Sequence, residues 1–231
     1  MLVPTMLRSL AAAFVGVLAL FGRPAAAHGF MVDPPARNLR SGEDCPHCLN
    51  AGGPWLVYGA SRHFPNGRHG VCGDPHGDRR PAHEAGGRLD NGRRVVRTYR
   101  RGSVITIKIE VTADHKGYFE FKACPAPSRG GGATERRQVT QRCFDAHPLR
   151  NADDGSKKWW LRGPGEGTHR MRFRLPKNLR CERCVLQWHW VSANSCRPPG
   201  ASPGYASGMC ACGKECAQPE EFWNCADVRV R

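Results

Sequence analysis

The sequence predicts an all-β protein: an immunoglobulin-like antiparallel β-sandwich carrying long disulfide-pinned loops. Three observations predict it. Short stretches of alternating apolar and polar residues fill the second half of the chain, 27 glycines and 18 prolines separate them, and twelve cysteines are available to staple the loops. Helical periodicity sustained over several turns is absent from the pattern.

Taken in order, residues 1–27 read as a secretory signal peptide. Arg8 precedes the apolar run Ser9 to Gly22, and Ala25-Ala26-Ala27 supplies a small-residue cleavage site. Cleavage there makes residues 28–231 the mature, secreted, extracellular domain. From Gly29 to about Gly92 the chain is rich in Gly, Pro, His and Cys, which reads as a long irregular region. Ile105, Ile107, Ile109 and Val111 then alternate with Thr106, Lys108 and Glu110, the signature of a half-buried strand. Ala113-Asp114-His115-Lys116-Gly117 makes a tight connection to a strand beginning at Phe119 and Phe121. Met171, Phe173 and Leu175 mark another strand, and the apolar run Val185 to Val191 suits a central one. Ala226, Val228 and Val230 close the chain as a final strand. No repeat, linker or second domain is visible, and no stretch after residue 27 is long enough to span a membrane.

All twelve cysteines follow residue 27, at 45, 48, 72, 124, 143, 181, 184, 196, 210, 212, 216 and 225. An even number behind a signal peptide favours up to six disulfides, whose connectivity the spacing leaves open. Cys45-x-x-Cys48 and Cys181-x-x-Cys184 also have the spacing of two zinc-ribbon halves, a reading disfavoured by export. The formal net charge is +15, with 28 of the 35 basic residues arginine. Those arginines are scattered in ones and twos, a solvated surface accounts for them, and no nucleic-acid or membrane partner is expected.

His28 is the most informative residue. As the first residue of a processed chain it offers an α-amine and an imidazole a few bonds apart, able to close a chelate ring on a transition metal. Nine further histidines follow, at 47, 63, 69, 76, 83, 115, 147, 169 and 189. His115 stands out because it sits in a strand-to-strand connection, where a rigid scaffold presents functional side chains. On the residues alone, a merely polar hairpin turn explains Asp114-His115-Lys116-Gly117 as well.

Resemblance to a known family adds to this reading. The start His28-Gly29-Phe30-Met31-Val32-Asp33-Pro34-Pro35-Ala36-Arg37-Asn38 resembles the opening of lytic polysaccharide monooxygenases, also known as chitin-binding type-4 domains. Val111-Thr112-Ala113-Asp114-His115 is similar to the segment that carries the family's second copper histidine. Cys181 to Trp188 and Glu221 to Val228 are similar to its central and last strands. Val71-Cys72-Gly73-Asp74 and His83-Glu84-Ala85-Gly86-Gly87 resemble the subgroup known from insects, oomycetes and algae.

The resemblance implies a copper site in which His28 binds through its amine and ring and His115 supplies a third nitrogen, a histidine brace. It implies Phe222 on the axial side without a bond to the metal, and Ala113 crowding the opposite approach. It further implies a secreted monomer that takes electrons from an external donor. With hydrogen peroxide or dioxygen it would oxidise a carbon beside a glycosidic bond of crystalline chitin or cellulose. Three neutral nitrogens suit copper, which heads the divalent affinity series. A non-catalytic chitin-binding protein on the same scaffold is the alternative.

Further expectations concern neighbouring side chains. Gln187 either points toward the metal as a second layer of the site or is an ordinary strand glutamine bonded to backbone. His83, beside Glu84, is expected to be structural or to support the site from behind rather than to bind the metal, and His189 to be a satisfied core histidine. Trp188, Trp190 and Trp223 are expected to pack the core, while Trp55 and Tyr58 are candidates for a flat carbohydrate-binding face.

Overall fold

In a computed structural model, the described residues are 28–231 except 41, 43–44, 59–67, 91–93, 128–131 and 214. The expected signal peptide, residues 1–27, and His63 lie outside them. The elements in chain order are β1 (His28–Asp33), α1 (Arg37–Arg40), α2 (Pro54–Tyr58), β2 (Arg97–Tyr99), β3 (Val104–Ala113) and β4 (Tyr118–Pro125). They continue as α3 (Gly132–Gln138), α4 (Gln141–Ala146), β5 (Arg150–Asn151), β6 (Lys158–Trp160), β7 (Gly167–Arg174), β8 (Cys181–Val191) and β9 (Glu221–Val230). Two sheets form, one ordered β1-β3-β7-β5 and the other β2-β9-β8-β4-β6.

The alternations read from the sequence generate this sandwich. Ile105, Ile107, Ile109 and Val111 bury one face of β3, with Met171 and Phe173 beside them on β7. Opposite them stand Phe119 and Phe121 of β4, Trp188 and Trp190 of β8, and Phe222 of β9, all in one core cluster. Each fully buried side chain of this size contributes about 2 kcal/mol. The three tryptophans expected to be core are buried.

Two features depart from the sequence reading. His28–Asp33 is a strand rather than the start of an irregular region, because its backbone finds a partner in β3. One pairing, β2 with β9, is parallel, while the other strand pairs are antiparallel. The helices have at most seven residues, too short for a periodic signal. Among the described residues, no helix is long and apolar enough to cross a membrane.

All twelve cysteines pair, as 45–48, 72–225, 124–143, 181–184, 196–212 and 210–216. Each Cys-x-x-Cys closes on itself, which removes the zinc-ribbon alternative. Cys72–Cys225 spans 153 residues and ties the long early loop to β9. On loop-closure entropy that bridge contributes about 5 kcal/mol, against about 2 kcal/mol for a bridge across three residues.

A buried ion network joins the two ends of the domain. Arg37, 2% exposed, donates from Nε and Nη2 to the two carboxylate oxygens of Asp227 at 2.9 and 2.8 Å. Arg183 reaches the same carboxylate at 3.1 Å and also pairs with Glu135. Asp90 completes the cluster, 3.2 Å from Arg37. The Asn224 side chain adds a second tie, its Oδ1 accepting from Met31 N–H at 2.9 Å. The segment that follows β1 and the last strand are thereby locked together, which fixes where His28 begins.

Candidate metal centre

The candidate ligands His28 and His115 lie at the start of β1 and just after the end of β3. The β1–β3 register sets His28 opposite Ala113, two residues before His115. Thr112 Oγ1 donates to the carbonyl of His28 at 3.2 Å, holding the first residue of the strand. The next turn then presents His115. Asp114 Oδ1 accepts from Lys116 N–H at 2.6 Å, and the Lys116 carbonyl accepts from the Trp190 indole at 2.7 Å. Lys116 and Gly117 both have positive φ. A Cβ on Gly117 would lie 1.9 Å from the carbonyl oxygen of Val191, so only glycine fits there. The His115 carbonyl accepts from Ala193 N–H at 2.8 Å.

The His115 ring is the telling feature. Among the described residues its Nδ1 is buried without a hydrogen-bond partner, and the carboxylate oxygen Glu220 Oε2 stands 3.9 Å away. A carboxylate on that side favours the tautomer protonated at Nδ1 and leaves the Nε2 lone pair for a ligand. Glu220 is itself held, since Asn50 Nδ2 donates to Oε1 at 2.9 Å and Asn194 Nδ2 to Oε2 at 3.3 Å. Its carbonyl accepts from Ser192 N–H. Phe222 follows two residues later, buried and packed 5.2 Å from Trp190, centroid to centroid.

Other candidates lie elsewhere. Gln187 is buried on the face of β8 opposite the core, where its amide donates to the Val71 carbonyl at 2.8 Å and to Gln141 at 3.0 Å. Successive residues of a strand alternate faces, so Gln187 points away from the side that Trp190 and Phe222 occupy. Its hydrogen bonds are those of a structural glutamine. His83 is likewise structural, with its Nδ1 2.8 Å from Asp74 and its backbone N–H bonded to the same carboxylate. Asp74 lies within the Val71–Asp74 motif, so these two motifs meet for packing. His189 is bonded to Glu221 and stacks on Trp223 at 5.0 Å. Burial holds the His189 imidazole well below its usual pKa and pushes Glu221 up to about 8.

The candidates for a carbohydrate face divide. Trp55 is 72% exposed on α2, with Leu56 beside it at 52%. Tyr58, 3% exposed, is buried in a small cluster with Ala51, Val57 and Trp223 and is not part of the surface.

Three residues of the site escaped the sequence reading. Glu220 and Asn50 meet only through folding, although Glu220 stands directly before the Glu221-Phe222 motif. His47 lies with its ring 4.5 Å from that of His28, edge to face. Its position inside Cys45-Pro46-His47-Cys48 was the available signal.

The fold and its edge histidines define a two-sheet β-sandwich whose first strand starts with a chelating residue type. Residues 28–228 match the family model described as lytic polysaccharide mono-oxygenase, cellulose-degrading, and the chain belongs to that family. Among solved structures, it is similar to a lytic polysaccharide monooxygenase AA15 from Thermobia domestica in the Cu(I) state. The two are 29% identical, with a TM-score of 0.66 over 88% of this chain and 98% of that one. A chitin binding domain from Burkholderia pseudomallei shares the fold, with 14% identity and a TM-score of 0.50 over 89% of this chain and all of that one. No curated protein matches the chain.

Proposed function

We propose that this chain is a secreted, copper-dependent monooxygenase that oxidatively cleaves glycosidic bonds in crystalline chitin or cellulose, acting as a monomer once residues 1–27 are removed. The observation that carries the reading is the β1–β3 register, which sets His28 opposite Ala113, two residues before His115, while Glu220 faces Nδ1 of His115 and leaves Nε2 for a ligand. Two imidazoles and a free amine make a neutral nitrogen set that fits copper better than the oxygen-seeking cations.

In this reading His28 holds the metal through its amine and ring, and His115 through Nε2. Copper, when bound, supplies one-electron redox chemistry toward hydrogen peroxide or dioxygen, fed by an external electron donor. The chain's own residues prepare the place for it. Glu220 keeps the proton of His115 on Nδ1, and the Asn224 and Asp227 ties hold β1 in register. Phe222 gives an apolar wall without an oxygen donor, and Ala113 leaves a small side chain opposite His28. Trp55 and Leu56 offer exposed apolar area of the kind that packs on sugar rings. Membership of the subgroup known from insects, oomycetes and algae belongs to the same proposal, supported by the 29% identity to the Thermobia domestica structure.

The test is to load the processed protein with copper and incubate it with chitin and with cellulose, reductant and peroxide. Oligosaccharides with oxidised ends, detected by mass spectrometry, are expected from one of the polymers. Copper-independent binding to chitin with no oxidised product would instead favour a binding protein on the same scaffold.

A further inference from the structure

We infer that the Cys45-Pro46-His47-Cys48 loop forms, when its disulfide is reduced, a second metal site that borrows the ring of His28. The ligand atoms of His28, Cys45, His47 and Cys48 all lie within 4.8 Å of one another. A tetrahedral Cys₂His₂ site with bonds of about 2.3 Å to sulfur and about 2.0 Å to nitrogen needs ligand separations of roughly 3.3–3.8 Å. The widest separation among the four is therefore within about an ångström of what such a site requires, while the two bonded sulfurs must move about 2 Å apart. In the oxidised chain the two sulfurs are spent on each other. Reduction separates them and exposes two soft donors beside two imidazoles, a set that selects Zn²⁺ or Cu⁺.

Position makes this bridge the one to open. It closes only three residues, so the fold protects it least through chain entropy. Cys181–Cys184 is as short, yet both of its cysteines are buried, whereas neither Cys45 nor Cys48 is. The step balances with a small dithiol as reductant. The disulfide takes two electrons and two protons, the dithiol becomes a cyclic disulfide, and metal binding then displaces the two thiol protons. Because the His28 ring serves one metal geometry at a time, filling this site draws it from His115. The site is thus distinct from the proposed brace while competing with it for one residue.

Cobalt(II) tests the site, since thiolate ligation gives it a charge-transfer absorption that imidazole and amine ligands do not. Residues 28–231 are treated with limiting dithiol, and alkylation with peptide mapping identifies which cysteines open. Cys45 and Cys48 should be labelled while the other ten remain bridged. One cobalt per reduced chain should then bind with the thiolate band and release of two protons; the oxidised chain should show no band. His47→Gln should weaken cobalt about a hundredfold, with circular dichroism verifying its fold, while His115→Ala should leave it unchanged. Loss of the band in His115→Ala, full retention in His47→Gln, no band in the reduced chain, or opening of any other bridge before this one would each overturn the inference. Loss of polysaccharide oxidation in His115→Ala reports on the proposed function alone.

Discussion

Replacing Glu220 with glutamine isolates the electrostatic part of the proposed centre. The substitution preserves length and keeps an oxygen for Asn50, but removes the negative charge 3.9 Å from His115 Nδ1. That separation lies beyond hydrogen-bond reach, so the carboxylate acts through its field. At an effective dielectric near 20, two full charges at this distance interact by about 4 kcal/mol, which bounds the effect from above. Carboxylates behind metal-bound histidines are worth about 10- to 100-fold in metal affinity. The long contact places Glu220 at the lower end, so Glu220→Gln should weaken copper about tenfold, or about 1.4 kcal/mol. Titration of the processed, metal-free protein against a competing chelator measures it. The metal-free melting temperature should move by no more than ~2 °C, since the fold loses no buried pair. Copper affinity within twofold of the parent would refute the argument that this carboxylate sets the His115 tautomer.

Four further outcomes follow from the same structure. Asp227→Ala removes the carboxylate that Arg37 and Arg183 share, leaving Asp90 and Glu135 beside them, and should cost about 3 kcal/mol, a fall of roughly 10 °C in melting temperature by calorimetry. Burial raises the Glu84 carboxyl to about 7. The folded state therefore holds a proton that the unfolded chain releases above about pH 4.5, and stability falls as pH rises from there to about 7. Glu84→Gln should remove up to about 3 kcal/mol of that fall, read as the difference between parent and variant melting curves at about pH 5 and about pH 8. Trp55→Ala should weaken binding to the insoluble polymer about five- to tenfold without altering copper affinity, measured by depletion assays. A chain retaining one residue before His28 should lose most copper binding, because an amide nitrogen replaces the amine; equal affinity by chelator competition would misplace the site.

Much of this protein was legible from residue order. The period-two alternation of Ile105, Ile107, Ile109 and Val111 became β3 because one buried face imposes that spacing on any strand. His28 and His115 could be singled out by position, one after a predicted cleavage site and one in a connection. Gln187 could not be settled this way, since only the pairing of β8 with its neighbours decides which face it occupies. Likewise, only the packing of Ala51, Val57 and Trp223 decides that Tyr58 is covered while Trp55 stays exposed.

By itself, the sequence determined the alternating strands, the supply of cysteines and the residue types able to bind a metal, because these are local properties of composition and spacing. The tertiary structure alone decided that Asp227 captures Arg37 across 190 positions, that Glu220 stands behind His115, and that His47 comes to rest beside His28. Such contacts arise where loops and strand ends converge, and no periodicity in the chain encodes which of them will meet.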